Sequence, residues 1–427
     1  MTNKTAAIIG GGFCGLAAAY ELAKAGIEVT LFEKDNELGG LAGTFEVSPG
    51  KRLEKFYHHW FSSDVDILNF IEEIGLGDRI KFCPSRTGFY HANSIFRLAS
   101  PWDLLRFSPL PLVDRIRTGL MALYCRRIEN WQVLEDVLAK DWIQKIAGKK
   151  SFEVVWGPLL QGKFGAAWEE ISAVWFWNKL KLRGSSRKGA GEEKLAYFEG
   201  GFGALIDAVK IELSKMGVKF VLGVEAKVEK GLVVNGASYN QVLVTTSLPD
   251  FTNLATDLPT DYLAKLAQIK FLGNVCLVLK LKRSLSSSYW LNVADPSFPF
   301  VGIIEHTNID DKDNYGGSHI AYLSKYVPET DALFKMEPDP FFEFALPHLK
   351  KIFPDLERSW VDSYFLWKAK NSQPLVTKHY SKLIPDFKTP ISGLWLSSMA
   401  QIYPEDRGTN YAIKYGRRVA KQMLENY

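Results

Sequence analysis

The alternation of hydrophobic and polar positions over residues 6–33 predicts a strand, a helix and a second strand. The apolar run Ala6–Ile9 has the length and composition of a strand buried on both faces. Residues 16–26 place small and apolar side chains at helical spacing and end at a glycine, which is typical of a helix terminus. Residues 28–33 are rich in β-branched and aromatic side chains and are predicted to form the second strand.

The same periodicities predict elements along the rest of the chain. Predicted helices cover 65–74, 204–216, 341–353 and 410–425, with a mainly helical region over 101–150. Predicted strands cover 89–91, 96–98, 218–222, 242–249, 275–281, 300–304, 319–323, 360–365 and 393–399. The chain is therefore expected to belong to the α/β class.

A glycine-rich turn separates the first strand from the first helix. Gly10, Gly12 and Gly15 match the pattern G-x-G-x-x-G, in which they allow a tight turn, close approach to a pyrophosphate and packing of helix on strand. The free N–H groups and the positive end of the helix dipole can then hold phosphates. The order strand, glycines, helix, strand and acid makes this a specific nucleotide-binding signal. The other residues of the turn predicted to contact the cofactor are Gly11, Phe13 and Cys14.

Glu33 ends the second predicted strand. A carboxylate at this place accepts a hydrogen bond from a ribose 2′-hydroxyl and repels a 2′-phosphate, so NADP is disfavoured. A second glycine pair, Gly39 and Gly40, follows shortly afterwards. The neighbouring residues predicted to contact the cofactor are Lys34, Leu41 and Ala42.

Composition and charge restrict the class of protein. The chain has 427 residues, of which 47% are hydrophobic and 23% charged, which is enough for two domains with hydrophobic cores. A net charge of +4 gives no case for nucleic acid. The four cysteines are far apart, so neither a zinc site nor a disulfide framework is predicted, and no metal is expected. We find no signal peptide and no apolar run long enough for a bilayer, and we expect a cytoplasmic protein.

Aromatic residues make up 13% of the chain, including 12 tryptophans and 27 phenylalanines. This content suits a protein that encloses a large flat cofactor and an apolar or ring-shaped small-molecule substrate. A core that simply uses aromatic side chains would have the same composition.

The glycine turn, Glu33 and the second glycine pair together resemble the extended FAD fingerprint of the flavin amine oxidase superfamily. This superfamily includes protoporphyrinogen oxidases, phytoene desaturases and, more distantly, UDP-galactopyranose mutases. The resemblance implies a Rossmann-like FAD-binding domain with a discontinuous α+β substrate domain built on an antiparallel sheet. Many members carry an arginine directly after the glycine pair, where this chain has Leu41. No cysteine lies in the C-terminal stretch, so non-covalent FAD is expected.

The resemblance also implies how the chain is divided between the two domains. The FAD-binding domain would take residues 1–82, 196–250 and 389–427. The substrate domain would take 83–195, which is mainly helical, and 251–388, which supplies the antiparallel sheet.

Further cofactor contacts are implied by position within the superfamily. Backbone groups of Lys227 and Val228 would hold the adenine, and Thr245 and Met399 follow strands that end beside the cofactor. The turn after residue 403 and the N-terminus of the last helix would meet the flavin. The predicted contacts there are Thr409, Asn410, Tyr411 and Ala412.

Two adjacent histidines and a tyrosine are the candidate catalytic residues. His59-Trp60-Phe61 looks like the histidine-x-phenylalanine element that UDP-galactopyranose mutases place beside their flavin. His58, His59 and Tyr403, together with Asn410, could position the flavin, and a histidine could carry a proton near neutral pH. The alternative is that one histidine packs in the core while the other caps the helix that begins near Asp64.

Two segments outside the fingerprints have more than one interpretation. Residues 112–131 combine an apolar stripe with four arginines. We expect the stripe to pack in the core and the arginines to face solvent, and contact with anionic lipid at the inner face of the membrane is the alternative. Residues 184–194 are rich in glycine, serine and charge, and we predict a mobile loop that could serve as a lid.

The resemblance implies an FAD-dependent oxidoreductase that transfers a hydride from a substrate C–H to flavin N5. One alternative is an enzyme similar to UDP-galactopyranose mutase, which acts on a sugar nucleotide with reduced flavin. That chemistry needs arginines for a diphosphate, and Arg86, Arg97, Arg358 and Arg407 are available. A second alternative is a non-catalytic flavin-binding subunit.

Overall fold

The computed structural model describes residues 4–185, 194–255 and 257–427, with strands and helices interspersed. The strands are β1 (Thr5–Ile9), β2 (Glu28–Glu33), β3 (Thr44–Ser48), β4 (Lys51–Glu54), β5 (Trp60–Phe61), β6 (Ile80–Pro84), β7 (Thr87–His91), β8 (Ser94–Arg97), β9 (Lys194–Phe198), β10 (Lys219–Leu222), β11 (Val228–Glu229), β12 (Val233–Val234), β13 (Ala237–Ser238), β14 (Gln241–Val244), β15 (Phe271–Leu281), β16 (Trp290–Val293), β17 (Gly302–Glu305), β18 (His319–Val327), β19 (Val361–Pro374) and β20 (Leu394–Leu396). The α-helices are α1 (Phe13–Lys24), α2 (Val65–Glu73), α3 (Pro101–Arg106), α4 (Leu112–Arg127), α5 (Ala139–Ala147), α6 (Lys149–Ser151), α7 (Gly157–Phe164), α8 (Ala173–Ser185), α9 (Gly201–Lys215), α10 (Leu248–Leu254), α11 (Thr260–Leu266), α12 (Ala332–Lys335), α13 (Pro338–Ile352), α14 (Tyr380–Leu383) and α15 (Thr409–Leu424).

A parallel sheet of five strands forms one half of the molecule, in the order β10-β2-β1-β14-β20. The apolar run predicted for β1 is buried, as a strand covered on both faces requires. Helix α1 follows β1 directly and packs against α15. The two helices are in close contact at Gly416, where an added Cβ would lie 2.3 Å from the Cys14 carbonyl oxygen. The first and last segments of the chain therefore belong to one packed unit. We call the five-stranded sheet with α1 and α15 the parallel unit.

A mixed sheet of seven strands forms the second half, in the order β19-β15-β18-β17-β16-β7-β8. Every neighbouring pair is antiparallel except β16 and β7, which run parallel. The predicted strands at 275–281 and 319–323 lie within β15 and β18, and the one at 360–365 continues to Pro374. The chain is thus a mixed α/β fold with one parallel and one mainly antiparallel sheet.

The two faces of the mixed sheet pack against different parts of the chain. In β15, Leu277 and Leu279 face a core that includes α13, whereas Cys276 and Val278 face the core of the parallel half. This alternation follows from the two-residue repeat of a strand. The sheet is therefore buried on both faces, and its inner face borders the parallel unit.

The expectation that the apolar stripe of α4 packs in the core is wrong. The large apolar side chains at the helix surface are 47–66% exposed: Leu112, Val113, Ile116, Leu120, Leu123 and Tyr124. The buried residues of α4 are Thr118, Met121 and Cys125. Two of the arginines bind carbonyl oxygens of neighbouring segments, Arg115 at residues 105 and 110 and Arg117 at residues 145 and 146. The periodicity located an apolar face but did not show that the buried side of α4 is formed by Thr118, Met121 and Cys125.

Three further predictions concern a membrane span, the loop over 184–194 and the domain boundary near Phe82. None of the described helices is both long and apolar enough to cross a bilayer. Most of the loop predicted over 184–194 lies outside the described residues, and its first residues end α8. The boundary predicted near Phe82 falls inside β6, and the division into domains stays a prediction.

Candidate functional site

The glycine turn between β1 and α1 leaves a helix N-terminus without side-chain partners. Gly10 has φ +111°, and a Cβ on Gly15 would lie 2.0 Å from the Gly10 carbonyl oxygen. The Thr245 hydroxyl donates to that same oxygen at 3.0 Å and fixes the turn to β14. Gly12 precedes α1 with no side-chain cap, and no acid occupies the first turn. The N–H groups of α1 are therefore available to an anion.

Glu33 is held at the end of β2 beside this turn. It is 8% exposed, and its carboxylate accepts hydrogen bonds from the Gly11 N–H at 2.7 Å and the Asp35 N–H at 3.1 Å. The Val224 N–H donates to the Glu33 carbonyl oxygen at 3.2 Å, which brings the segment before β11 to the same edge. In that segment, the Lys227 N–H donates to Asn235 Oδ1 and Val228 pairs with Val234.

The second glycine pair packs directly against the first glycine turn. The Gly39 N–H donates to the Gly11 carbonyl oxygen at 2.9 Å. A Cβ on Gly40 would lie 3.4 Å from Gly12 Cα, and Gly39 and Gly40 both have positive φ. The two backbones form a cradle that a Cβ would fill. Sequence reasoning predicted both glycine segments, and the structure brings them together.

Leu41, which follows the second glycine pair, lines a cavity of about 360 Å³ that lies between the parallel unit, the mixed sheet and the helices α7 and α8. Leu41, His58, His59, Gly408 and Thr409 line it from the side of the parallel unit. The residues that line the facing side include Trp156, Lys163, Trp175, Lys179, Asn274 and Tyr326. Trp156 ends a π-helical segment, Phe152–Trp156, which leads directly into α7.

The two predicted histidines both line the cavity but differ in their surroundings. His58 Nδ1 lies 2.6 Å from the Phe56 carbonyl oxygen, and burial lowers the pKa of His58 to about 4. Its Nδ1–H therefore donates to that carbonyl, and the ring is neutral at pH 7. His59 Nδ1 lies 2.8 Å from the Tyr289 hydroxyl. Both side chains line the cavity, and the roles predicted for them, positioning the flavin and carrying a proton, stay predictions.

The last helix, α15, begins at the cavity. Gly408 precedes it without a side-chain cap, and Thr409 Oγ1 accepts a hydrogen bond from Trp60 Nε1 at 2.8 Å. Asn410 does not line the cavity, because its side chain is buried and accepts from the Ile67 N–H at 3.0 Å. The backbone N–H groups of Thr409, Asn410 and Tyr411 have no acceptor within the helix and could bind an anion or a carbonyl oxygen. The Ala412 N–H, by contrast, already donates to the Gly408 carbonyl oxygen at 2.9 Å.

Tyr403 lies apart from the other two catalytic candidates. Its hydroxyl donates to Glu135 Oε1 at 2.6 Å and its ring contacts Trp131, and it is not among the residues that line the cavity. Met399 follows β20 next to Ser397 and Ser398, and the Cys14 thiol donates to Ser397 Oγ at 3.2 Å. The region of Met399 therefore borders the start of α1, whereas Tyr403 supports the chain leading to α15.

A cluster of charged side chains in the cavity was missed by sequence reasoning. Asp406 is 7% exposed and forms ion pairs with Lys179 and, at 3.7 Å, with Lys163. Burial alone would raise the pKa of Asp406, but Lys179, Lys163 and Arg407 hold it well below its usual range. The Arg407 guanidinium donates to the Tyr326 hydroxyl at 2.7 Å. These residues are separated by up to 244 positions in the chain, so no local pattern could have connected them.

Four arginines were considered as partners of a diphosphate. Among the described residues that line the cavity, Arg407 is the one member of this set. Arg358, by contrast, forms an exposed ion pair with Glu343. The charge in the cavity therefore comes from α7, α8 and the turn before α15.

Comparison with known proteins identifies the family. The family model for flavin containing amine oxidoreductases matches residues 13–424. The chain belongs to this family. It is 26% identical over 201 residues to the mitochondrial protoporphyrinogen oxidase of Nicotiana tabacum, a match that covers 45% of this chain and 40% of that protein. It is 33% identical over 75 residues to a zeta-carotene desaturase from Synechocystis, covering 18% of this chain and 15% of that enzyme.

Solved structures show the same fold. Reduced UDP-galactopyranose mutase superposes with a TM-score of 0.73 at 14% identity, covering 100% of this chain and 95% of that one. The sequence matches cover less than half of the length of each of these relatives. The similarity to the solved structure extends over the whole chain and is a similarity of fold. The glycine cradle, the fixed carboxylate of Glu33 and the two uncapped helix N-termini fit the flavin cofactor that gives the family its name.

Proposed function

We propose that this protein is an FAD-dependent oxidoreductase that transfers a hydride from a substrate C–H bond to flavin N5. The observation that carries the proposal is that the glycine cradle and the cavity adjoin at Leu41. Leu41 follows the second glycine pair and lines the cavity, as do Gly408 and Thr409 at the start of α15. A molecule with a diphosphate at one end and a flat ring system at the other would occupy both.

The residues of the parallel unit would bind FAD without a covalent bond in a Rossmann-like arrangement. The α1 N-terminus would hold the diphosphate, Glu33 the adenosine ribose, and the backbone of Lys227 and Val228 the adenine. The α15 N-terminus would face the other end of the cofactor. The flavin supplies the two-electron chemistry, while the chain supplies orientation, electrostatics and exclusion of water.

The cavity supports a substrate with an apolar or ring-shaped body. Aromatic side chains provide much of its wall, and Trp175 and Phe176 are 7% and 3% exposed. The substrate would lose a hydride from one C–H bond and a proton from the adjacent carbon or nitrogen, giving an unsaturated or imine product. The electrons would then pass to dioxygen or another acceptor.

The proposal is tested by mixing purified, FAD-loaded protein with candidate C–H donors in the absence of oxygen. If one class of donor bleaches nearly all of the oxidised flavin absorbance, the proposed function is supported. A yellow protein that no donor class bleaches, but that turns over a sugar nucleotide only after chemical reduction, would instead support an enzyme similar to UDP-galactopyranose mutase. This second function is favoured by the cationic side chains of Lys163, Lys179 and Arg407 in the cavity, because such groups bind the phosphates of a sugar nucleotide.

We also propose that the exposed face of α3 and α4 rests on an anionic membrane surface on the cytoplasmic side. Trp102 and Val113 are each 66% exposed, and Leu112, Leu120 and Leu123 are more than half exposed. The side chains of Arg106, Arg126 and Arg127 are exposed on the same pair of helices. Apolar side chains flanked by arginines match the chemistry of an anionic lipid surface.

A further inference from the structure

Arg407 is a cavity arginine whose hydrogen-bond partner is a neutral group. Its guanidinium donates to the Tyr326 hydroxyl at 2.7 Å, and its Nε–H is buried without an acceptor. A guanidinium has five N–H donors and binds carboxylate and phosphate best, because two parallel N–H groups can reach two oxygens. A phenol offers one oxygen and no charge. The Arg407 Nε–H is therefore left without an acceptor, although the charge of the guanidinium interacts with the neighbouring Asp406 carboxylate.

The nearest carboxylate does not meet this need. Asp406 adjoins Arg407 in the chain, but its oxygens are occupied by Lys179, Lys163 and the Gln373 amide. Among the described side chains that line the cavity, three are cationic and one is a carboxylate: Lys163, Lys179, Arg407 and Asp406. A positively charged amine would enter against this field, whereas an anion would be attracted.

A second unpaired donor lies in the same part of the cavity. The indole N–H of Trp175 is buried without an acceptor, and the side chain is 7% exposed. Lys163 lies between Trp175 and Tyr326, the hydrogen-bond partner of Arg407, because its Nζ lies 5.1 Å from the Trp175 ring and 5.0 Å from the Tyr326 ring. Buried donors are almost always paired in folded proteins, so an unpaired indole and an unpaired guanidinium N–H that line one cavity indicate a place for an acceptor.

We propose that Arg407 and the Trp175 indole, with Lys163 between them, bind an anionic group of the substrate, a carboxylate or a phosphate. This inference rests on the proposed function and narrows it to an apolar or ring-shaped acid. It sets the chain apart from family members named for amine substrates, because the cavity offers donors and positive charge at this point.

The test uses the FAD-loaded, oxidised protein and four probes that share one ring: benzoate, phenyl phosphate, benzyl alcohol and benzylamine. Binding is followed by the shift in flavin absorbance and by tryptophan fluorescence. We expect at least one of the anions to bind tenfold or more tightly than the alcohol, and the amine to bind no better than the alcohol. Whichever of benzoate and phenyl phosphate binds more tightly identifies the anion.

The variant that tests the residue is Arg407→Met, with Arg358→Met as its matched control at an exposed arginine. Loss of a charge-assisted hydrogen-bond pair predicts anion binding weakened by about tenfold to a hundredfold in Arg407→Met. Binding of benzyl alcohol should change little, and Arg358→Met should leave all four probes unaffected. Lys at position 407 keeps the charge but not the paired geometry, so Arg407→Lys should recover part of the affinity.

Several results would overturn the inference. Benzylamine binding the wild-type protein as tightly as the anions would do so, and this comparison needs no variant to fold. An Arg407→Met protein with full FAD content, unchanged anion binding and a lowered flavin reduction potential would show that the arginine acts on the flavin instead. If no C–H donor reduces the flavin, the proposed function fails, but the probe titrations still report on the anion site.

Discussion

Glu54 is a fully buried carboxyl group that accepts hydrogen bonds from the Tyr197 hydroxyl at 2.9 Å and the Phe202 N–H at 2.6 Å. Burial raises the pKa of Glu54 from 4.5 to about 7, because these hydrogen bonds do not fully replace the lost solvation. Its partners lie more than 140 positions away in the chain, so sequence reasoning gave no reason to single it out.

The raised pKa of Glu54 predicts a contribution to stability that is lost as the pH rises from about 4.5 to 7. In this range the unfolded chain has released the proton that the folded chain still binds, so the free energy of unfolding falls with pH. The size of the shift corresponds to about 3 kcal/mol. Urea unfolding between pH 4.5 and 8 measures the free energies of unfolding of the wild type and of Glu54→Gln. Over this range the free energy of unfolding of the variant should rise, relative to that of the wild type, by about 3 kcal/mol.

The matched control for this pH series is Glu46→Gln, which alters an exposed carboxylate on the neighbouring strand. Its difference from the wild type should stay flat across the same pH range. A flat difference for Glu54→Gln as well would contradict the assignment of a raised pKa to Glu54.

Residues that act through local backbone geometry could be predicted from the sequence, and residues that act through distant partners could not. Gly10, Gly12, Gly15 and Glu33 follow one another in a short stretch, and the structure places them as the fingerprint requires. Asp406 could not be singled out from the sequence, because its partners come from α7 and α8. Hydrogen-bonding motifs with fixed spacing are visible in a sequence, whereas charge clusters assembled by the fold are not.

At the scale of elements, α1 and α15 depend on a close contact at Gly416. Gly416→Ala would place a Cβ 2.3 Å from the Cys14 carbonyl oxygen, within the backbone of α1. The helices would have to separate, so we expect a loss of stability of about 2 kcal/mol or more and weaker FAD binding. Thermal unfolding and FAD titration measure both effects.

Gly119→Ala is the control for this prediction, because Gly119 lies in α4 and the nearest atom to an added Cβ is 3.7 Å away. Replacing a helical glycine with space around it should stabilise the protein by about 0.5–1 kcal/mol. Equal effects of the two substitutions would show that the contact between α1 and α15 is looser than described.

Helix α4 shows why the periodicity of an element does not reveal what covers it. The apolar stripe was correctly located but wrongly assigned to the core, because a helical repeat identifies a face and carries no information about its neighbour. The buried side of α4 instead uses Thr118, Met121 and Cys125, and the Trp177 indole donates to the Cys125 carbonyl oxygen.

Exposure of this stripe predicts binding to anionic vesicles. The wild type should sediment with phosphatidylserine-containing vesicles and less with pure phosphatidylcholine. The double substitution Leu120→Ser and Leu123→Ser should reduce partitioning more than tenfold, because each buried leucine contributes about 1.5–3 kcal/mol. Ile211→Ser alters an equally exposed residue on α9 and should have no effect. Absence of sedimentation with either vesicle, or equal sedimentation of all variants, would contradict the membrane proposal.

At the scale of the whole molecule, the two sheets were predicted unequally well. The strands of the parallel sheet predicted at 6–9, 28–33 and 218–222 were located closely. The strand predicted at 242–249 begins at the right place but ends at Val244, and helix α10 begins at Leu248. Strand β16 was missed because its four residues include the polar Asn292, and its parallel partner β7 lies about 200 positions earlier. The position of the 89–98 strand pair within the mixed sheet therefore emerged only from the structure.

The central claim is that the glycine cradle and Glu33 hold FAD while α15 covers its other end. Titration of the purified, cofactor-stripped protein with FAD, followed by acid precipitation, tests it most directly. The account predicts one FAD per chain, released into the supernatant by acid, and FAD binding weakened at least a hundredfold in Glu33→Arg, where an arginine would displace the carboxylate bonded to the Gly11 and Asp35 N–H groups. A wild type that binds no FAD, or a Glu33→Arg variant that is correctly folded and binds FAD as tightly as the wild type, would contradict it.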